Sequence, residues 1–66
     1  MSRFYTAKEV GDILRVSESK AYGYIRQMNA ELEKAGYLTV RGKIPAAYLQ
    51  KRFFGAEGGN NADSAE

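Results

Sequence analysis

Cysteine and histidine are both absent from this chain of 66 residues. Without cysteine there is no disulfide and no thiolate nucleophile, and nothing indicates an oxidising compartment. Without histidine the usual general base is missing, and because cysteine is missing too, the ordinary zinc ligand sets cannot be built. We therefore expect no bound metal and no cofactor.

Long apolar runs are also missing. No segment approaches the roughly 18 residues of a membrane-spanning helix, and the N-terminal stretch MSRFYTAKEV lacks the apolar core of a signal peptide. The sequence therefore predicts a soluble, cytoplasmic protein with no membrane partner. Its length corresponds to one small domain, which buries only about 60% of its unfolded surface.

Charge is divided unevenly along the chain. Residues 1–55 contain all ten Lys and Arg and five of the eight acidic residues, a net charge of +5, whereas residues 56–66 carry three acidic residues and no basic one. The segment 56–66 also has no large apolar side chain, so we expect one folded domain at 1–55 and a disordered acidic tail. A basic body favours a polyanion such as nucleic acid, although a solvated surface with a modest cationic excess explains the charge nearly as well.

Two helices are predicted from their caps and from apolar spacing. Thr6 and Glu9 have the spacing of a capping box, which begins a helix at about 7–14. Ser17 is an N-cap for a second helix at about 18–35, which Gly36 ends. The expected buried stripes are Ala7, Val10, Ile13 and Leu14 in the first helix, and Ala21, Ile25, Met28, Leu32 and Ala35 in the second.

The residues after Gly36 predict a small β-hairpin and a third helix. Residues 37–40 favour a strand, Arg41 and Gly42 a tight turn, and residues 43–44 a returning strand. Pro45 suits the first position of a helix, whose expected inward residues are Ala46, Leu49 and Phe53, with Tyr48 at the flank. The predicted fold class is mostly α with a short β-hairpin: a winged helix-turn-helix of about three helices and a two-stranded wing.

Polar groups gather on the outer face of the second helix. With the apolar stripe inward, the opposite side carries Ser19, Gly23 and Arg26, with Lys20 and Gln27 at one edge and Tyr22 at the other. In a helix-turn-helix the second helix enters the major groove, where such groups contact base edges and phosphates. Gly23 costs about 1 kcal/mol relative to alanine in a helix interior, and either close approach to DNA or a tolerated defect explains it.

The basic residues fall on three elements that a helix-turn-helix directs at one duplex. Arg26 is the best candidate to read a guanine, because its guanidinium can bond O6 and N7 together. Phosphates or a neighbouring groove are the expected targets of the other cations, namely Lys20, Arg41, Lys43, Lys8 and Arg15. Each of them alone is more readily explained as a solvated surface charge, so the hypothesis depends on their convergence.

A resemblance to a known family rests on two stretches, YTAKEVGDILRVSESKAYGYIR and GYLTVRGKIPAAYLQKRFF. Together they resemble the small excisionase-type DNA-binding proteins of phages and integrative elements, within the MerR-like winged helix-turn-helix group, over about residues 4–54. The resemblance implies a sequence-specific protein that binds double-stranded DNA near attachment sites, assists an integrase, and assembles with other copies of itself along DNA. The contacts that it implies are Ser17, Ser19, Lys20, Tyr22, Arg26, Arg41 and Lys43.

One residue departs from the pattern of that group. Arg15 occupies a turn position that the group often fills with glycine. Arginine adopts the left-handed conformation only at a cost, so the geometry of this turn is a point on which the structure decides.

Other functions fit parts of the sequence. A transcriptional regulator of a phage or mobile element, or the DNA-binding domain of a packaging protein, would use the same fold. A small helical adaptor would use the tyrosine-rich face to bind another protein. An enzyme is disfavoured because no histidine can activate a tyrosine, and because Glu9, near Asp12, is better explained as a cap.

Overall fold

The computed structural model describes residues 3–55, and the tail predicted at 56–66 lies outside them. The elements follow in the order β1 (Phe4–Thr6), α1 (Ala7–Leu14), α2 (Glu18–Lys34), β2 (Lys43–Pro45) and α3 (Ala46–Phe54). The two strands form an antiparallel sheet. The described residues thus form a mostly helical, winged helix-turn-helix fold, as the sequence predicts.

The start of α1 is fixed by hydrogen bonds between Thr6 and Glu9. The Glu9 amide donates to Thr6 Oγ1 at 3.3 Å, and the Thr6 amide donates to Glu9 Oε1 at 2.9 Å. The predicted capping box is therefore confirmed, and α1 covers 7–14 as expected. The bond from the Thr6 amide, aided by the nearby Arg3 guanidinium, lowers the pKa of Glu9.

The turn between α1 and α2 folds back closely on α1. The Val16 amide donates to the Gly11 carbonyl at 3.0 Å, and a Cβ atom at Gly11 would lie 2.9 Å from the Val16 carbonyl oxygen. The turn therefore excludes any side chain at Gly11. Arg15 adopts the left-handed conformation, with φ of 62°, so it pays a conformational cost that glycine would avoid.

Both ends of α2 are capped. The Lys20 amide donates to Ser17 Oγ at 3.1 Å, which confirms the predicted N-cap. At the other end Gly36 is left-handed, with φ of 95°, and the Tyr37 amide donates to the Leu32 carbonyl at 2.9 Å. This cap ends α2 at Lys34, one residue before the predicted end.

The core lies where α1, α2, β2 and α3 meet. Its buried apolar residues are Ala7, Val10, Ala21, Ile25, Met28, Ile44 and Leu49. Three residues expected to face inward do not. Ile13 and Phe53 are each 38% exposed, and Ala35 is exposed because it follows the last residue of α2. The Phe53 ring instead lies edge-on to Tyr24 at the surface, with 5.2 Å between ring centroids.

The predicted pairing within the hairpin is wrong. β2 pairs with β1, so that Tyr5 lies opposite Ile44. Ile44 is fully buried and Tyr5 packs partly against the core, whereas Leu38 is 99% exposed and offers no packing to a partner strand. Tertiary contacts thus outweigh the β propensity of residues 37–40. Residues 37–42 form a loop, which we call the wing.

The tight turn predicted at Arg41 and Gly42 is present. The Lys43 amide donates to the Val40 carbonyl at 3.1 Å, and Gly42 supplies the positive φ, 78°, that this turn requires at its third residue. The chain then enters β2, whose last residue, Pro45, is the N-cap of α3 rather than its first residue.

A cluster of polar side chains joins α3 to α2. Tyr48 Oη donates to Glu31 Oε1 at 2.7 Å, while Arg52 donates through Nε to Oε1 at 2.7 Å and through Nη2 to Oε2 at 2.6 Å. The Arg52 guanidinium and the Tyr48 hydroxyl lower the pKa of Glu31 to about 2. The same carboxylate raises the pKa of Tyr48.

Candidate nucleic-acid interface

The outer face of α2 is open, as its apolar spacing indicates. Ala21, Ile25 and Met28 are buried, and the residues turned away from them are exposed. These exposed residues are Ser19, Lys20, Tyr22, Gly23, Arg26 and Gln27. In the structure the predicted contact residues of α2 are therefore exposed to solvent, and their role in binding stays a prediction.

The first turn of α2 uses some of its polar groups internally. Ser17 Oγ accepts a hydrogen bond from the Lys20 amide, so its oxygen is already engaged by the cap. The Lys20 ammonium nitrogen lies 5.8 Å from the centroid of the Tyr24 ring, a cation–π arrangement. Lys20 is thus held over an aromatic ring at the start of α2 while remaining exposed.

Gly23 has no packing neighbour that requires a glycine. A Cβ atom built there would meet nothing within 4 Å apart from its own helix. Packing within the described part of the chain therefore does not explain Gly23. Its two remaining explanations, a tolerated defect and the close approach of a ligand, both agree with this open surface.

A groove of about 680 Å³ separates α2 from the wing. Tyr22 and Arg26 line its α2 side, and Arg41 and Gly42 line its wing side. The Tyr22 ring lies against the wing turn, since its Oη would be 3.3 Å from a Cβ atom at Gly42. Two arginines from separate elements thus share one groove.

Hydrogen bonds hold the wing beside α2. Asn29 Nδ2 donates to the Val40 carbonyl at 3.2 Å and to the Lys43 carbonyl at 3.1 Å. Further along α2, Thr39 Oγ1 donates to Glu33 Oε2 at 2.5 Å. Glu33 also lines the groove and is the acidic residue among its described lining residues.

The cations of this face are not neutralised by ion pairs within residues 3–55. There, Arg3 pairs with Glu9 and Arg52 pairs with Glu31. Neither pair lies in the groove between α2 and the wing. The groove therefore keeps a positive charge from Arg26 and Arg41, with Lys43 exposed just beyond the turn.

Several predicted contact residues lie apart from the groove. Gln27 lines a smaller cavity with Tyr24 and Arg52, towards α3, and its amide helps to lower the pKa of Glu31. Lys43 lies in β2 opposite Thr6 and is exposed. Of the other predicted residues of α2, Tyr22 and Arg26 line the groove, whereas Ser19, Lys20 and Gly23 lie along the exposed outer face.

The chain is 35% identical over 48 residues to the ICEBs1 excisionase of Bacillus subtilis (strain 168), and the aligned region covers 73% of this chain and 75% of that protein. The chain belongs to the excisionase family. No family model matches this excisionase-family sequence, and no solved structure matches it. Among its described residues, none of the helices is long and apolar enough to cross a membrane.

Sequence reasoning missed three features that shape this site in the excisionase-family chain. Gly11 allows the turn before α2 to close, Asn29 binds the wing, and β1 pairs with β2. A signal existed for Asn29, since a polar residue four positions after Ile25 interrupts the apolar side of α2. The β-forming residues Phe4, Tyr5 and Thr6 were a signal for β1.

Proposed function

We propose that this excisionase-family protein binds double-stranded DNA sequence-specifically and acts as a recombination directionality factor of a mobile element. It binds near attachment sites, assists an integrase and assembles with other copies of itself along the DNA. Its fold would belong to the MerR-like winged helix-turn-helix group. One observation carries the DNA-binding proposal: Arg26 on α2 and Arg41 on the wing line the same open groove.

Each exposed group of α2 has a proposed role. Arg26 reads a guanine through two parallel hydrogen bonds, and Tyr22 contacts the DNA backbone at the wall of the major groove. The lack of a side chain at Gly23 lets α2 approach the floor of the DNA major groove. The remaining residues of the proposed interface contact DNA phosphates through their charged or other polar groups. They are Ser17, Ser19, Lys20, Gln27, Arg41 and Lys43.

The first experiment measures DNA binding directly. Fluorescence anisotropy with a labelled duplex from the upstream region of the gene, titrated at several salt concentrations, gives the affinity and its salt dependence. We expect the logarithm of the binding constant to fall linearly with the logarithm of the salt concentration, with a slope of roughly −0.9 per phosphate contact. Absence of binding even at low salt would contradict the proposal.

A matched pair of variants distinguishes the contribution of the groove between α2 and the wing to DNA binding from the contribution of the protein's net charge. Arg26→Ala and Lys51→Ala remove one positive charge each, but Lys51 lies on α3 beside Glu31 and Tyr48, away from the groove. We expect Arg26→Ala to weaken binding to the preferred site much more than Lys51→Ala. Equal losses would indicate non-specific attraction between a basic protein and DNA.

The recombination role needs a separate test, because a transcriptional regulator or packaging protein would also bind DNA. Deleting the gene should abolish the excised circular form of the element, measured by amplification across the joined ends. Integration should continue. A change in transcript levels without any change in excision would support a regulator instead.

A protein-binding function has one specific observation in its favour. Leu38 is 99% exposed and Tyr37 64% exposed, and both line an apolar surface with Leu32 and Tyr48, away from the groove. An adaptor would use this surface. If the chain fails to bind duplex at low salt but retains a protein in a pull-down that Leu38→Ser abolishes, the adaptor function replaces DNA binding.

A further inference from the structure

Asn29 is a polar side chain on the buried side of α2. It is only 8% exposed, and Nδ2 donates to the carbonyls of Val40 and Lys43. These two carbonyls stand at either end of the turn that carries Arg41 and Gly42. A single side-chain amide therefore binds both ends of the wing turn.

The two ends of the wing turn, Val40 and Lys43, accept the hydrogen bonds that Asn29 makes. Its Oδ1 atom is also buried and has no partner within residues 3–55, so the amide is held through its donor end. Burying an amide costs free energy unless its hydrogen bonds are made, and here the two bonds from Nδ2 offset part of that cost while Oδ1 stays unpaired. The position of Asn29 is thus explained by the wing and by nothing else that the structure describes.

The other contacts between α2 and the wing are more exposed. Thr39 and Glu33 share a hydrogen bond at the surface, and Tyr22, at 47% exposed, lies against Gly42. Within residues 3–55, only Asn29 binds the wing backbone through a buried side chain. Asn29 therefore restrains the wing backbone directly, and the contact of Thr39 with Glu33 adds to that restraint at the surface.

Asn29 also lies one turn of helix after Arg26. Both residues line the groove between α2 and the wing, with Arg41 on its far side. The amide therefore connects the helix that carries Arg26 to the turn that carries Arg41. Groups held in their bound arrangement before association lose less entropy on binding.

We propose that Asn29 is a positioning residue for DNA recognition, which sets the separation between Arg26 on α2 and the cations Arg41 and Lys43 around the wing turn. The inference rests on the proposed DNA binding. Asn29 makes no contact with DNA, because its amide is buried beneath the turn. Its effect on affinity passes through the wing.

A double-mutant cycle tests this route. Asn29→Ala is made in the parent and in a background that carries Arg41→Ala and Lys43→Ala, and duplex affinity is measured by anisotropy at low salt. We expect about a tenfold loss in the parent, the order of the cost of ordering one or two side chains on binding. In the background without wing cations, the loss should fall below about twofold, because the wing no longer contributes.

A second measurement guards against a simple folding defect. Hydrogen exchange of the Lys43 amide, which donates to Val40 within the wing turn, should accelerate in Asn29→Ala. Exchange of the Val16 amide, which donates to Gly11 in the other turn, should stay unchanged. Acceleration of both amides to the same extent would show global destabilisation and overturn the positioning role.

Thr39 offers a milder variant with a matched control. Thr39→Val removes the hydroxyl that binds Glu33 while keeping the shape, and Thr39→Ser keeps the hydroxyl. We expect Thr39→Val to weaken binding in the same direction as Asn29→Ala, and Thr39→Ser to bind like the parent.

The two proposals fail in different ways. If the parent does not bind duplex DNA at low salt, the proposed function fails and the positioning role with it. If the parent binds, but Asn29→Ala loses affinity equally in both backgrounds or loses none, only the positioning role is overturned.

Discussion

The two halves of α2 are engaged differently. In the first half, from residue 18 to 26, the side chains of Ser19 and Arg26 make no hydrogen bond or ion pair within residues 3–55. In the second half, Asn29 and Glu33 bind the wing, and Glu31 binds Tyr48 and Arg52 of α3. One end of the helix thus presents solvent-exposed polar groups without partners in the described part of the chain, whereas the polar groups at the other end bind the wing and α3.

This difference shows how a small domain combines a binding surface with stability. The polar contacts that hold the wing and α3 against α2 are made by the second half of the helix, and the exposed outer face of the first half takes no part in them. The first half still contributes Ala21 and Ile25 to the core through its inner face. Outward groups there can therefore be chosen for a ligand without weakening the fold.

The largest expected effect comes from the inner face. Ile25 is fully buried, so Ile25→Ala should reduce the free energy of unfolding by about 2–5 kcal/mol. This is a large fraction of the stability of a small domain. Urea denaturation followed by circular dichroism measures it. An equally large loss of stability in Arg26→Ala, one residue away on the outer face, would contradict the distinction between the inner and outer faces of α2.

Arg26→Ala should instead act on DNA binding. We expect a loss of roughly 1–3 kcal/mol on the preferred site and relaxed discrimination at one base position, because a guanine loses its bidentate partner. Lys43→Ala should weaken binding to all sequences alike and flatten the salt slope by roughly one unit. Anisotropy with a panel of single-base variants of the site distinguishes these patterns, and identical profiles would count against base reading by Arg26.

Two glycines should respond to alanine with opposite signs. Gly23→Ala should stabilise the free protein by up to about 1 kcal/mol, since its Cβ meets open space. Gly11→Ala should destabilise it, since its Cβ would lie 2.9 Å from a backbone oxygen. Thermal denaturation measures both. If Gly23→Ala also binds DNA as well as the parent, close approach is not why glycine stands there.

The smallest expected effect is the pH dependence of the scaffold half. The pKa of Glu31 is lowered from 4.5 to about 2 by Arg52 and Tyr48, so its ionised form contributes stability above about pH 4.5. That contribution should be lost as the pH falls towards 2. It is small because the ion pair is partly solvated. Melting curves of the parent and Glu31→Gln should converge at acid pH, and a constant difference would contradict this.

Local signals predicted the helix-turn-helix well. Thr6 and Ser17 cap helices because their partners lie three residues away, and the apolar spacing of α2 is sustained over several turns. The pairing of β1 with β2 joins residues that are far apart in sequence, and no local pattern specifies it. The polar interruption at Asn29 was visible in the sequence, but its partners were not, because they are backbone carbonyls on either side of the wing turn.

The pairing of Tyr5 with Ile44 also has a kinetic consequence. Bringing Tyr5 next to Ile44 closes a long loop, which costs chain entropy before the contacts of the sheet stabilise it. In contrast, α1 and α2 meet through a short turn. We therefore expect the transition state for folding to contain the α1–α2 pair, with the sheet forming afterwards. Ile44→Val should then mainly accelerate unfolding, and Ala21→Gly should mainly slow folding. The wing would be the last part of the molecule to form and the first to open.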